Sequence, residues 1–304
     1  MPAKIRAFNM APGKVMPVGN NIARHLSLGA GVDTAVLLLM SVEGILPKYD
    51  HAIFADTQAE PSYVYQQLDW LVALAAKADI PVSRITTGNL AADSIDPNLP
   101  FMKMPLYLRM PDGTVGMLRR MCTGDYKTKP IIKKQMELLG VAPRSSQKHI
   151  LVETHIGFTW DETERMKDPP RKWMKNIYPL IDMRMTRDDC LRWLADRGYP
   201  QIKRSACFMC PFRDDWEWSH MKHHDQETWA QAVEFDRALR RVERDKPLRG
   251  IPYLHHSCVP LDEVIFAEEA GVVPMFRTCD PWGCSPPDLP EGVVLFDSHG
   301  RRIA

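Results

Sequence analysis

Ser27-Leu28-Gly29-Ala30-Gly31-Val32-Asp33-Thr34 is the stretch on which the fold turns. Residues 22–28 (IARHLSL) before it suit a short strand, and residues 33–43 (DTAVLLLMSVE) after it suit a helix stopped by Gly44 and Pro47. A glycine turn between a buried strand and a helix lets the backbone approach an anion and aims the free N–H groups of the helix start at it. Phosphate is the natural ligand for such a turn, although the same glycines also serve plain strand-to-helix packing. The Walker lysine is missing. The G-x-G-x-x-G spacing of dinucleotide folds is missing too, because Gly29, Gly31 and Asp33 are followed by Thr34 and Ala35.

The same strand and helix alternation continues outward. HAIFAD at 51–56 reads as a buried strand, 61–78 as a helix with Pro61 at its first position, and PVSRITT at 81–87 as a third strand. Residues 88–128 look irregular, a helix follows at 130–139, and HILVETHIG at 149–157 is a strand. This order predicts an α/β architecture, a parallel sheet with helices on both faces. Further on, Thr186 is an N-cap with an acid three residues later, leading into a helix that Gly198 ends. A charged amphipathic helix spans roughly 225–244, and CDPWGCSPPDLPEG at 279–292 is irregular. A boundary near residue 215 is expected, with a nucleotide-binding unit at 1–215 and a smaller, mostly helical and irregular appendage at 216–304.

The chain has 304 residues, enough for a large domain plus a small one. Its 39 basic and 38 acidic residues nearly cancel, so no global field draws it to nucleic acid or membrane, and a polyanion site has to be local. The first residues lack an apolar signal core, and the run Ala35–Met40 is far shorter than the roughly 20 residues of a membrane span. A cytoplasmic protein without membrane contact is expected. Its 7 cysteines then read as thiols or metal ligands, an odd number that cannot all pair internally.

A serine, two glycines and a helix-starting Asp-Thr pair resemble the S-G-G-x-D-S loop of the PP-loop ATP pyrophosphatases, in the form found in phosphoadenosine phosphosulfate (PAPS) reductase-like proteins. Further segments match this family in order over residues 22–215. Ile53-Phe54-Ala55-Asp56-Thr57 with Glu60-Pro61 resembles its D-T-x-x-E-x-P turn, and Arg119-Arg120-Met121-Cys122-Thr123 with Tyr126, Lys127 and Pro130 its R-x-C-T-x-x-x-K-x-x-P segment. Gly157 to Arg165 resembles G-x-x-x-D-E-x-x-R, Tyr178 to Asp182 the P-L-x-D turn, and Ser205 to Pro211 the closing S-x-C-x-x-C-P.

The resemblance implies a Rossmann-like PP-loop fold that binds ATP or a related adenine nucleotide. Ser27, Leu28, Gly29, Gly31, Asp33, Thr34, Phe54, Asp56, Thr57, Gly157, Asp161 and Glu162 would then form the nucleotide site. Asp33, Arg120, Lys127 and Arg165 would be catalytic, and Asp33 and Asp56 are candidate Mg2+ ligands through oxygen. Cys207-x-x-Cys210 is half a metal site; Cys122 and Cys190 are its most motif-consistent partners. Sulfur-handling relatives point to a [4Fe-4S] cluster, while soft ligands alone also admit zinc, and a redox dithiol is a third reading. Cys258, Cys279 and Cys284 rank lower as ligands because they lie outside the matched segments.

The implied reaction is adenylation of a substrate for sulfur transfer, with a nucleic acid as a candidate acceptor and a sulfur-donor protein as a candidate partner. A genuine PAPS or adenylyl sulfate reductase is the nearest rival, but its E-C-G-x-H tail is absent: only Thr278-Cys279-Asp280 and Gly283-Cys284-Ser285 occur. A non-catalytic nucleotide-binding module is a further alternative, because Val32 stands where many PP-loops carry lysine. His220, His223, His224, His255 and His256 lack an H-E-x-x-H arrangement and read as a charged surface. Trp216, Trp218 and Trp229 read as packing residues.

Overall fold

The computed structural model describes residues 22–99, 103–142, 149–243 and 247–266. Strands β1 (Ala23–Leu28), β2 (His51–Asp56), β3 (Val82–Thr86), β6 (Val152–Ile156) and β7 (Met174–Ile177) form one sheet in the order β3-β2-β1-β6-β7. Every pairing in it is parallel. The chain first steps from β1 to β2 to β3, then returns to the other side of β1 with β6. That reversal opens a crevice at the carboxyl ends of β1 and β6, where open α/β sheets place their ligands.

Helices cover both faces, as the alternating pattern predicts. In β2 the even residues Ala52 and Phe54 enter a core with Leu26 and Leu28 of β1, helix α1 (Val32–Val42), helix α2 (Ser62–Lys77) and helix α6 (Arg187–Asp196). The odd residues Ile53 and Ala55 face Ile131 of helix α4 (Lys129–Leu138) on the opposite side. Strand alternation therefore feeds two layers from one strand. Helix α1 is almost wholly buried, from Val32 to Ser41, which accounts for its near-continuous apolar sequence. Thr186 caps α6 in a full capping box with Asp189, as its sequence indicates.

A second core is built differently. Helix α3 (Leu90–Ile95), strands β4 (Tyr107–Arg109) and β5 (Val115–Met117), helices α7 (Asp215–His224) and α8 (Gln226–Arg241) and strand β8 (Ile251–Tyr253) surround it. Leu90, Met104, Leu106 and Tyr126 from the first half of the chain pack there with Trp218, Phe235, Leu254 and Phe266 from the second. Strands β5-β4-β8 form an antiparallel sheet in which Tyr107 is paired with Tyr253. The boundary expected near residue 215 therefore does not separate two cores, because residues 90–126 share both sheet and core with residues 215–266. The stretch 88–128, read as irregular, carries α3, β4, β5 and a π-helical turn at Thr123–Thr128. No helix among the described residues is long and apolar enough to cross a membrane.

Candidate nucleotide and thiol site

The turn at the end of β1 is tied by Thr34. Its hydroxyl accepts from Gly29 N at 3.1 Å and donates to Gly31 O at 3.3 Å, so the first turn of α1 holds its own entry loop. The left-handed residue of this turn is Ala30 at φ 56°, between two glycines that do not need positive φ. Gly31 is required for another reason: a Cβ on it would meet Ser205 N at 3.1 Å. Gly157, after β6, is tighter still, because its Cβ would stand 2.7 Å from Thr34 Cγ2 and 3.0 Å from Thr34 N. Two loops thus close on the N-terminus of α1 with backbone alone, leaving its N–H groups for an anion.

Asp33 sits at the centre of this arrangement. Its Oδ2 accepts from Arg187 Nη1 at 2.7 Å, and its buried Oδ1 has no partner. Burial raises its pKa to about 6, against the lowering effect of Arg187 and with a smaller push from Glu162. The Arg187 amide donates to Asp161 Oδ2 at 3.0 Å, and Arg165 pairs with Glu162 while lying over the Phe158 ring. Asp33, Gly157, Asp161, Glu162 and Arg165 are thus brought together, along with Arg187, which belongs to none of the motifs. A cation as the first residue of a capped helix opposes the helix dipole, and that was its one legible signal.

Asp56 departs from its expected role. Oδ1 accepts from Tyr65 Oη at 2.9 Å and Gln58 N at 2.8 Å, and Oδ2 accepts from Arg84 through Nε at 2.9 Å and a second guanidinium nitrogen at 2.7 Å. A carboxylate has about four lone-pair sites, so this group has none to spare for Mg2+. It is a tie that shapes the end of β2. Leu28 and Phe54, at 3% and 2% exposure, spend their side chains in the core and offer only backbone to a nucleotide.

Next to Asp56 the chain turns through Thr57 and Glu60 towards the thiols. Cys207 Sγ lies 3.3 Å from Thr57 Oγ1 and 3.8 Å from Glu60 Oε1, and Lys127 Nζ is 3.3 Å from the same Glu60 oxygen. Burial by itself lowers the Lys127 pKa; Glu60, Cys207 and Cys122 outweigh it and raise the net value. Burial, then Glu60, pushes the Cys207 thiol up, and Lys127 opposes this. Cys122 and Cys207 pack on the second core, and Cys210 N donates to Cys207 O at 3.0 Å in the intervening turn. Arg120 is exposed and lies over the Phe212 ring.

Cys190 is elsewhere, which corrects the expected four-thiolate set. It is 0% exposed in the first core, where burial and then Asp33 raise its pKa, and its other electrostatic neighbours are Arg187, Asp189 and Asp161. Helical periodicity on α6 turns it inward with Trp193 and Leu194. Cys258, ranked lower on sequence, is nearer in kind: Tyr107 of β4 feels both Cys210 and Cys258. Cys279 and Cys284 lie outside the described residues.

The two halves of the site are joined by Gln67 of α2. Its Nε2 donates to Ala30 O at 2.8 Å and Lys203 O at 3.1 Å, and its Oε1 accepts from Lys203 N at 2.7 Å. The segment leading to Cys207 is thereby pinned to the glycine turn, with Ser205 against Gly31 and Ser205 Oγ 3.4 Å from Glu60 Oε2. A second correction concerns the histidines. His255 is 3% exposed rather than a surface residue, and with His256 it meets Asp215.

No family model and no curated protein sequence matches the chain. Among solved structures it is similar to a phosphoadenylyl-sulfate (PAPS) reductase from Candida auris, phosphate complex, at 12% identity and TM-score 0.34, over 60% of this chain and 75% of that one. It is also similar to the U34-tRNA thiolase NcsA from Methanococcus maripaludis with its [4Fe-4S] cluster, at 16% identity and TM-score 0.36, over 84% of this chain and 83% of that one.

Proposed function

We propose that this chain is a PP-loop enzyme of the PAPS reductase-like kind. It binds ATP or a related adenine nucleotide at the start of α1 and couples nucleotide opening to sulfur chemistry at Cys122, Cys207 and Cys210. The observation that carries this reading is Asp33: a buried carboxylate with one unpartnered oxygen, at a glycine-bounded helix N-terminus in the crevice where the sheet order reverses. That oxygen suits a Mg2+ ion held by one carboxylate plus nucleotide phosphates. Arg187 and Arg165 supply positive charge where phosphate charge is redistributed, which is what phosphoryl and nucleotidyl chemistry needs from a protein.

Cys122, Cys207 and Cys210 would hold an iron-sulfur cluster, which when bound supplies soft iron sites for sulfur. The donor set fits a cluster better than zinc. Thiolates around one zinc at 2.3 Å stand roughly 3.8 Å apart, and among the described residues no three cysteines come within 4.8 Å of one another. Glu60, Thr57 and Lys127 orient and charge-balance the Cys207 sulfur, and Gln67 fixes its distance from the nucleotide turn. The acceptor is a polyanion in this reading, a nucleic acid being the candidate, since Arg119, Arg120, Lys133, Arg171 and Lys172 are all exposed.

Release of pyrophosphate from ATP in the presence of RNA and DNA candidates tests the reaction. Bound nucleotide with no pyrophosphate under any of them would make the chain a binding module. Sulfite from PAPS or adenylyl sulfate would make it a reductase. Anaerobic purification with iron and sulfide assay tests the cluster, and a colourless protein with stoichiometric zinc would overturn it.

A further inference from the structure

Asp215, the first residue of α7, and His255, 40 residues later, meet His256 in a cluster separate from the thiols. Each of the three offers a ligand atom within 4.8 Å of the others. His255 Nε2 is 3.0 Å and His256 Nδ1 3.6 Å from one and the same oxygen, Asp215 Oδ1. Ligands bound at about 2.0–2.1 Å stand roughly 2.9 Å apart around an octahedral ion and roughly 3.4 Å apart around a tetrahedral one. The observed spacings lie close to these values.

Adjacent residues of an extended chain point to opposite faces. Here the backbone overrides that rule. Cys258 N donates to His255 O at 3.0 Å, closing a turn in which Cys258 adopts φ 54°, and the two imidazoles end up side by side with centroids 4.2 Å apart. A left-handed non-glycine residue costs about 1–2 kcal/mol, and here it is Cys258, in the turn that follows the two histidines. Arg109 helps to hold it by donating to Cys258 O.

The other ring nitrogen of His255, Nδ1, is 2.7 Å from Ser257 Oγ and accepts from Ser257 N at 3.2 Å, so in the metal-free chain Nε2 carries the proton and donates to Asp215. An ion bound at Nε2 moves the ring proton to Nδ1, where Ser257 Oγ is close enough to accept it in place of the Ser257 amide contact. His255 is buried, whereas the side chains of Asp215 and His256 are 34% and 41% exposed, so the cluster has a closed back and an open front. The Tyr107 ring forms one wall, edge-on to His256 at 6.3 Å.

We propose that Asp215, His255 and His256 form a binding site for one divalent first-row transition ion, with water completing its coordination. Two imidazoles and one carboxylate favour zinc, iron(II) or cobalt(II) over magnesium or calcium. The ion ties the turn after β8 to the start of α7. It does so independently of any cluster that Cys122, Cys207 and Cys210 hold.

Chelator-treated, desalted chain carrying Cys122→Ser, Cys207→Ser and Cys210→Ser, so that the thiol site takes no cobalt, titrated with Co2+ and with Zn2+ tests this. Expected is one tight Co2+ with weak visible bands and no near-ultraviolet thiolate-to-cobalt charge transfer, displaced by Zn2+. Asp215→Asn and His256→Ala, the latter at an exposed position, each weaken binding by on the order of 100-fold, and Ser257→Ala by about 10-fold. Thermal unfolding of the metal-free variants is measured alongside; a match to the parent assigns the loss to the ligands. Binding unchanged by Asp215→Asn and His256→Ala, or a cobalt spectrum dominated by thiolate charge transfer, or no Co2+ bound at millimolar concentration, would overturn the proposal and leave a hydrogen-bonded His-Asp contact only.

Discussion

Arg187 Nη1 and Asp33 Oδ2 are 2.7 Å apart although 154 residues separate them in the chain. The pair joins the starts of α1 and α6, two helix ends of the same positive polarity, with a carboxylate between them. One Asp33 oxygen is spent on that link and the other is buried without a protein partner, so the pair holds the fold while leaving one carboxylate oxygen unsatisfied.

A pH dependence follows from Asp33. Its folded pKa is raised from 3.8 to about 6, so the unfolded chain loses this proton first as pH rises. Stability is therefore lost between about pH 4 and pH 6, by up to roughly 3 kcal/mol. Asp33→Asn does not titrate. Urea unfolding of nucleotide-free protein at pH 4.5 and 7.5 should show the stability of Asp33→Asn rising relative to the parent at the higher pH. A difference that stays constant between the two pH values counts against a raised Asp33.

Gly157→Ala puts a methyl group 2.7 Å from Thr34 Cγ2 and 3.0 Å from Thr34 N. The helix start cannot yield, so the loop after β6 has to move. A loss of about 1–3 kcal/mol is expected, with nucleotide affinity reduced more than stability. Adding Thr34→Ser removes the closest atom and keeps the hydroxyl. Isothermal titration with ATP should show partial recovery in the double variant.

Asp56→Asn separates a tie from a metal ligand. Replacing a carboxylate that satisfies Tyr65, Gln58 and Arg84 should cost about 2–4 kcal/mol of stability. The Mg2+ dependence of nucleotide binding should be unchanged in Asp56→Asn and altered in Asp33→Asn. Titrations with and without Mg2+ decide between them.

Lys127→Met removes the cation beside Glu60, whose side chain is 0% exposed. Thr57 and Ser205 still donate to it at 3.5 and 3.4 Å, so a loss of about 2 kcal/mol is expected. The double variant with Glu60→Gln should recover 1 kcal/mol or so of that loss. Lys127 also holds the Cys207 thiol down against burial, so alkylation of metal-free Lys127→Met at pH 8 should be slower than in the parent.

Where local chemistry repeats with a clear period, the architecture was readable. The alternation of IARHLSL, HAIFAD and PVSRITT with apolar helices specified β1 to β3, α1 and α2, and the Thr186 cap specified α6. Pro61 proved to be the N-cap of α2 rather than its first residue. The short elements α3, β4, β5, β7 and β8 escaped, because a three-residue strand has no periodicity to read and its partner is remote: Tyr107 is paired with Tyr253. Of the residues gathered at the candidate site, Asp33, Gly157, Glu162, Arg165, Lys127 and Cys207 are marked by motif. Arg187, Gln67 and Asp215 are not, since each acquires its role from contacts with distant segments.

The sequence by itself determined the parallel sheet, the glycine turn and the thiol pair, because these depend on hydrophobic period and on residues within one turn of each other. Only the tertiary structure decided which acid keeps an unsatisfied oxygen, which cysteine is withdrawn into the core and which two histidines meet a carboxylate. Asp33 and Asp56 look alike in sequence. They differ because Tyr65 and Arg84 fill the lone pairs of one, while the other meets only Arg187 from α6, far along the chain, and keeps a buried oxygen without a partner. Lone pairs are filled by whatever the fold brings near, and that is a property of the packed chain rather than of any local stretch.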